Sequence, residues 1–206
     1  MDDKKILTVL QQHLPAPSVD YCFNLWQQHR FHFVLRKGRI TKVGDFTYRT
    51  GHTPRITVNH DLNPYLFLVT YIHEVAHLDV HSHFKRAEAH GEEWKNSFRN
   101  LLLPVMTPEI FPENLLNGLD RHMVNPKAST FSDSEMTRLF RSFDKHAQLV
   151  TLLSEVPEGT VFGLHGRWFR KGKMRRTRVL CRELTSKKNY LVPADVPIEN
   201  AQLSLL

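Results

Sequence analysis

The sequence predicts an α+β protein that ends in a small β-rich unit. Three observations support this: apolar residues at helical spacing open the chain, alternating apolar and polar residues follow, and a second β-like pattern closes it. The chain has 206 residues, of which 41% are hydrophobic and 24% are charged. That length can bury a core, and the composition excludes a disordered, collagen-like or coiled-coil chain.

Two amphipathic helices are expected first, one from Asp3 to Leu14 and a second that begins after Ser18 as its N-cap. From Phe31 to Val58 apolar and polar residues alternate, with turn signals at Lys37-Gly38 and at Gly51. This pattern predicts three strands, which we expect to form an antiparallel sheet.

A long helix follows the sheet. Asn63 is a favourable N-cap and Pro64 suits the first helical position, and the helix continues without a breaker to about Ser82. It is apolar almost all round, which is typical of a buried helix. Another helix is expected after Gly91, with Trp94 among its apolar residues.

The rest of the chain is predicted to contain a connector and a β-rich unit. Four prolines between residues 104 and 130 predict an irregular segment with little helix, and Ser132 with Glu135 forms a capping-box pattern before one further helix. We therefore expect three regions: a core at 1–103, a connector with a helix at 104–150, and a small basic β-rich unit at 151–206.

Cysteine content and hydropathy restrict the compartment and the metal ligands. Cys22 and Cys181 are the only cysteines, so a disulfide framework is excluded and a zinc site with three or four thiolates is too. No apolar segment is long enough to cross a membrane, and the N-terminal residues lack the features of a secretory signal. We expect a cytoplasmic protein, with nucleoid association as one option, and no membrane contact.

Histidine is abundant, with thirteen in the chain, five of them between His73 and His90. The segment His73-Glu-Val-Ala-His77 contains a His-Glu-x-x-His pattern on the long predicted helix. Side chains four residues apart lie on the same helical face, so His73 and His77 can hold one cation. Glu74 points elsewhere and is suited to act as a general acid/base on a water molecule. The pattern predicts one zinc ion and hydrolysis of a peptide bond.

Three candidates compete to be the third ligand. His83 has a metzincin-like spacing from His77, but Val80 stands where that pattern has a glycine, and a continuing helix carries His83 away. Glu92 or Glu93 would make a thermolysin-like set, although acidic residues also favour a helix N-terminus. His90 precedes Gly91 at the junction of a loop and a helix, where it can fold back on the first two histidines. We favour His90.

The segment from His73 to Lys95 closely resembles the core of the SprT-like zinc metallopeptidases. The shared features are the His-Glu-x-x-His helix, a His-Gly pair after a short loop, and an aromatic residue followed by Lys, here Trp94-Lys95. The similarity extends over roughly residues 18–103. It implies a zincin-like metallopeptidase core in which His73, His77 and His90 hold zinc and Glu74 is catalytic. It also implies DNA-dependent cleavage of DNA-associated proteins.

The chain departs from many members of that family at its C-terminal end. Those members carry a zinc ribbon with two cysteine pairs, whereas Cys181 is the only cysteine in the C-terminal third of this chain. The β-rich unit is therefore expected to be either a ribbon without its metal or an unrelated small barrel.

Most of the positive charge lies in one segment of that unit. The whole chain has a net charge of +7, while the segment from His165 to Tyr190 has ten Lys or Arg against the single Glu183. Basic side chains neutralise phosphates and exposed aromatic rings stack on unpaired bases. We therefore predict a nucleic-acid interface, without base-specific readout, at Arg167, Trp168, Arg170, Lys171, Lys173, Arg175, Arg176 and Arg178.

Two function classes follow from these residues. The first is a zinc endopeptidase that acts on protein substrates and associates with DNA. The second is a non-proteolytic, zinc-containing nucleic-acid-binding or regulatory protein, in which His81, His83 or Glu93 closes the metal site as a fourth ligand. Glu74 argues against the second class, since a structural metal site has no use for it. A zinc hydrolase acting on another bond would use the same residues.

Overall fold

A computed structural model describes residues 2–37, 42–126, 134–144, 151–194 and 196–202. The chain divides into two compact units, Met1–Lys145 and His146–Leu206. Helices and a small sheet form the first unit and strands dominate the second, so the chain is α+β, as predicted. Among the described helices none is both long enough and apolar enough to cross a membrane.

The first unit has six helices and three strands among its described residues. The helices are α1 (Asp3–His13), α2 (Val19–His29), α3 (Pro64–His83), α4 (Glu92–Leu102), α5 (Glu113–Val124) and α6 (Ser134–Arg141). The strands are β1 (His32–Arg36), β2 (Gly44–Thr47) and β3 (Arg55–Asn59). Short 3₁₀ turns at Ala16–Ser18 and Leu103–Val105 adjoin α2 and α4.

The sheet of the first unit is mixed, so the prediction of an antiparallel sheet is wrong. The strand order is β1-β3-β2, and β3 runs parallel to β1 and antiparallel to β2. After β2 the chain returns and inserts β3 between the first two strands. Alternation has the same period in both strand arrangements, so the sequence pattern could not reveal this insertion.

Helix α3 lies against one face of this sheet and forms the centre of the core. The ring of Phe33 on β1 lies edge-on to Phe67 and Tyr71 of α3, with centroids 6.4 and 5.4 Å apart. The predicted N-cap is confirmed: the Asn63 side-chain oxygen accepts a hydrogen bond from the Leu66 amide at 3.0 Å. Burial of the apolar surface of α3 fixes the helix that carries the His-Glu-x-x-His pattern.

Two further predictions concern the N-terminal ends of α2 and α6. Ser18 does not cap α2 through its side chain; its hydroxyl donates to the Pro15 carbonyl at 2.7 Å within the 3₁₀ turn. The predicted capping box involves Ser132, which lies outside the described residues. Helix α6 nevertheless follows it, from Ser134.

The segment expected to have little helix contains α5, so that prediction is wrong. Pro112 directly precedes α5, where the fixed φ of proline favours helix initiation rather than a break. Leu115 and Leu119 of α5 are fully buried in the core of the first unit. A Cβ on Gly118 would lie 2.5 Å from Leu139 Cδ1, so α5 and α6 pack closely because this residue is glycine.

Within its described residues, the second unit contains a six-stranded sheet with its own core. Its strands are β4 (Thr151–Leu152), β5 (Val161–Leu164), β6 (Arg167–Arg175), β7 (Arg178–Glu183), β8 (Asn189–Pro193) and β9 (Pro197–Gln202). The order is β4-β9-β5-β6-β7-β8, with antiparallel pairing throughout. Phe162, Phe169, Val179 and Cys181 are buried in its apolar core.

Candidate metal centre

Three imidazoles converge beside α3. The Nε2 atoms of His73 and His77 are 3.3 Å apart, and the Nε2 atom of His90 lies 3.3 Å from the first and 3.0 Å from the second. Within the described part of the chain, this is the one group of three or more His, Cys, Asp or Glu side chains whose ligand atoms lie close enough to hold a metal ion. The three histidines are placed so that one ion can bind them all.

Helical geometry and a loop position these rings. His73 and His77 project from consecutive turns of α3, as their spacing predicts. His90 lies in the loop before α4 with φ at +85°, a backbone conformation that residues other than glycine rarely adopt. Such strain persists only where the surroundings enforce it, and it is typical of functional sites.

The histidines are neutral at neutral pH. Burial is the main cause that lowers the pKa of His73 well below its ordinary value, and the neighbouring His77 and His90 lower it further. Burial, followed by the charge of His90, lowers the pKa of His77 to about 4, and burial also lowers the pKa of His90. Neutral imidazoles are the form that binds metals, because each then has an unprotonated nitrogen.

Trp94 of α4 forms one wall of the site. Its side chain is fully buried, and its ring lies 4.6 Å from the rings of His73 and His90 and 5.4 Å from that of His77. Its indole N–H also points to the His73 carbonyl oxygen at 3.5 Å. The indole therefore restricts the orientation of all three imidazoles.

The Glu74 side chain projects from α3 against strand β2. It is 6% exposed and does not belong to the histidine cluster. A Cβ at Gly44 of β2 would overlap the Glu74 carboxylate, and it would also lie 2.7 Å from Thr70 Cγ2. The absence of a side chain at position 44 therefore leaves the space that the carboxylate occupies.

The alternative third ligands lie outside the cluster. His83 is exposed, and its Nδ1 lies 2.8 Å from the Asp79 carbonyl oxygen at the end of α3. Glu92 is paired with Lys95 at 2.9 Å, and Glu93 does not join the three imidazoles. Among these candidates the structure brings only His90 to the first two histidines.

The structure adds residues to the site that the sequence analysis did not identify. Phe46 of β2 lies nearly parallel to the His77 ring, and Tyr48 lies 4.2 Å from the ring of the exposed His81. His122 of α5 is buried, and its charge contributes to the lowered pKa of His73. Recognising α5 as an amphipathic helix would have been the signal for His122.

The predicted nucleic-acid residues lie mainly on the hairpin of β6 and β7 in the second unit. Phe169 is buried, whereas Trp168 is 41% exposed. Arg170 is half-buried, and five basic side chains of the hairpin are exposed: Lys173, Arg175, Arg176, Arg178 and Arg182. This hairpin therefore presents cations and one exposed indole to solvent.

Two of the predicted residues have partners within the unit. Arg167 forms an ion pair with Glu183 at 2.5 Å, and this bond lowers the pKa of the Glu183 carboxyl to about 2. Lys171 is buried, and its ammonium donates to the carbonyl oxygens of Leu153 and Val156 at 2.7 and 2.5 Å. We therefore leave Lys171 out of the candidate interface, because its charge already stabilises the fold.

In chemical terms, the first unit brings together three neutral nitrogen ligands and one separate carboxylate. That combination can hold a cation and transfer a proton beside it. Comparisons with protein-family models, with curated proteins and with solved structures find no match for this chain.

Proposed function

We propose that this protein is a zinc-dependent endopeptidase of the SprT-like type, with a zincin-like core in its first unit, and that it acts on DNA-associated proteins. The triangle of His73, His77 and His90 with Glu74 beside it carries the proposal. A metal site of purely structural use would need no such carboxylate and would be closed by a fourth protein ligand.

The distances within the triangle suit zinc. Zinc binds imidazole nitrogen at about 2.0–2.1 Å with tetrahedral geometry, which separates two ligand atoms by about 3.3–3.4 Å. The Nε2 atoms of the three histidines are 3.0–3.3 Å apart. In a neutral imidazole the Nε2 atom is either a hydrogen-bond donor or an acceptor, so the three Nε2–Nε2 pairs cannot all be hydrogen bonds. One cation, in contrast, can bind all three nitrogens.

The protein groups have separate tasks in peptide hydrolysis. Zinc, when bound, supplies a Lewis acid that polarises a scissile carbonyl and activates water for attack. Glu74 takes a proton from that water and passes it to the leaving amine, as a general acid/base. Its buried position beside Gly44 limits the number of rotamers that the carboxylate can adopt.

Strand β2 is suited to hold an extended peptide. It is an edge strand, and within the described residues no strand pairs with its outer side. Unpaired edge amides and carbonyls can add a peptide as a further strand. Because Gly44 adjoins Glu74 and Phe46 adjoins His77, a peptide bound along β2 would pass the metal centre.

The basic hairpin supports the association with DNA. Its exposed arginines and Lys173 can neutralise phosphates, and Trp168 offers a ring on which a base can stack. No acidic residue other than Glu183 lies between His165 and Tyr190, so this attraction is opposed by little negative charge.

The test is cleavage of a basic DNA-binding protein such as a histone, with and without single-stranded DNA. We expect wild type to cleave it, faster with DNA, while Glu74→Gln retains zinc and does not cleave. His90→Ala should lose zinc as well as activity. If Glu74→Gln cleaves as wild type does, or if His90→Ala keeps the full zinc content, the proposed site is wrong. Zinc binding without cleavage of any DNA-associated protein would favour a zinc-containing binding protein.

A further inference from the structure

A second basic surface lies on the first unit, at the end of its sheet. We call it the sheet-end groove. Its lining residues are His32, Thr47, Arg49, His52, Thr53 and Arg55. An adjoining depression shares His32, His52 and Thr53 and adds Arg30 at its rim. The two depressions have volumes of about 240 and 510 Å³, which is more space than a single phosphate needs.

Strand register brings the groove together. His32 of β1 and Thr47 of β2 are both direct neighbours of Arg55 on the central strand β3. Paired residues point to the same side of a sheet. Phe33, Phe46 and Ile56, one position away on each strand, belong to the opposite side, which faces α3. The groove therefore lies on the sheet face opposite to α3.

Every polar side chain in the groove can donate a hydrogen bond, and none is acidic. Arg30 pairs with Asp3 at 3.3 Å, and both side chains of that pair are at least half exposed. Among the described residues, no carboxylate forms an ion pair with Arg49 or Arg55. Arg49 is exposed and Arg55 half-buried, so the guanidiniums remain available to an anion from solvent.

We infer that the sheet-end groove binds the phosphodiester backbone of a nucleic acid strand. Arginine suits phosphate oxygens because its planar donors can bind two of them, and threonine hydroxyls add further donors. Trp26 and Phe31, which line the adjoining depression, are both buried, so neither ring can stack on a base. The guanidiniums and hydroxyls of the groove bind phosphate oxygens, and such contacts carry no base preference. This inference does not depend on the metal centre.

The experiment measures binding of the full chain to fluorescent oligothymidine of about 30 nucleotides, roughly twice the largest single-domain site. The dissociation constant is followed as salt rises, for wild type and for Arg49→Ala/Arg55→Ala. Lys85→Ala/Arg86→Ala removes the same charge from two exposed positions outside the groove and serves as the matched control. Both pairs are also measured in an Arg175→Ala/Arg176→Ala/Arg178→Ala background, which reduces the contribution of the hairpin.

Loss of two phosphate contacts should make the slope of log affinity against log salt less negative by about 1.4 for a single strand. The control pair should keep the wild-type slope. Equal slopes for the two pairs in both backgrounds would overturn the inference. So would binding of inorganic pyrophosphate that depends on Arg49 and Arg55 while oligothymidine binding does not. If Arg49→Ala/Arg55→Ala unfolds, Arg49→Glu replaces it, because this single substitution at an exposed position changes the charge by the same amount. It is compared with the same control pair.

Discussion

The Glu74 carboxylate lies against the backbone of Gly44, in the space that any larger residue at position 44 would fill. Gly44 belongs to edge strand β2 and Glu74 to helix α3, so this contact joins the edge strand to the helix that carries His73 and His77. The glycine is needed here for close approach rather than for an unusual backbone conformation.

Gly44→Ala should therefore impair catalysis without removing the metal. The added methyl group displaces the Glu74 carboxylate, and loss of a positioned general base lowers rates about 10²–10⁴-fold. We expect a decrease of at least about tenfold in histone cleavage, with zinc content unchanged. Combined with Glu74→Gln, the substitution should cause little further loss, because both act on the same group. Wild-type activity in Gly44→Ala would contradict this account.

Substitutions of His90 should separate backbone strain from metal binding. Glycine adopts a φ of +85° without steric cost, whereas alanine does not. In metal-free protein, His90→Gly should be more stable than His90→Ala by ~1 kcal/mol, measured by urea unfolding. Both variants should bind zinc more weakly than wild type. Equal unfolding free energies for the two variants would show that the loop relaxes without cost.

Trp94 should be important for both stability and metal affinity. Trp94→Ala removes a fully buried indole that contacts all three imidazoles, and such truncations cost ~3–5 kcal/mol. The exposed Trp168 is the matched control, and Trp168→Ala should change the unfolding free energy by at most ~0.5 kcal/mol. Zinc titration should show weaker binding for Trp94→Ala only. Similar effects of both substitutions on stability would contradict the packing described.

Metal-free protein should lose stability as the pH falls from about 6.5 to about 4. Unfolded histidine titrates near 6.5, whereas the pKa of folded His77 is about 4 and that of His73 is also well below the ordinary value. The unfolded state binds more protons within this window, so the free energy of unfolding decreases as pH falls. Thermal unfolding at several pH values measures it, and His77→Phe should show a weaker dependence. A flat profile between pH 6.5 and 5 would exclude this explanation.

Substitutions of Lys171 and Lys173 should have different effects on stability and on nucleic-acid binding, although both residues belong to the basic segment. Lys171→Met leaves buried carbonyl oxygens without a donor, which costs ~1–3 kcal/mol, while exposed Lys173→Met should cost at most ~0.5 kcal/mol. Oligothymidine binding should weaken for Lys173→Met, whereas folded Lys171→Met should bind as wild type does. Weaker binding by a folded Lys171→Met would return that residue to the interface.

The residues of the candidate metal centre could largely be predicted because their geometry is local. His73 and His77 need only a helix, and the cap at Asn63 with the apolar residues after it predicts that helix. The prediction of His90 also required its position at the junction between a loop and α4. The structure brings His90 to the other two histidines, as that position predicts. The contact of Glu74 with Gly44 could not be predicted, because residues thirty positions apart meet only through the strand order.

The wrong predictions also concern features that depend on contacts between residues distant in sequence. The alternation from Phe31 to Val58 shows which residues share a face, but it does not show that β3 inserts between β1 and β2. Pro112 is compatible with a helix break and with a helix start, and only the packing of the residues that follow it decides between the two. Lys171 is indistinguishable in sequence from the exposed cations around it, and only the fold of the second unit buries its ammonium.

The sequence by itself determined most of the helices, most of the segments that form strands, the pair of histidines on one helical face, and the concentration of positive charge. These properties depend on residue spacing along the chain, which backbone geometry converts directly into shared faces. Tertiary structure decided the strand order, the closure of the triangle by His90, the space for Glu74 beside Gly44, and the sheet-end groove around Arg55. Those features join residues distant in sequence, and they form only when burial of the apolar core brings the elements together.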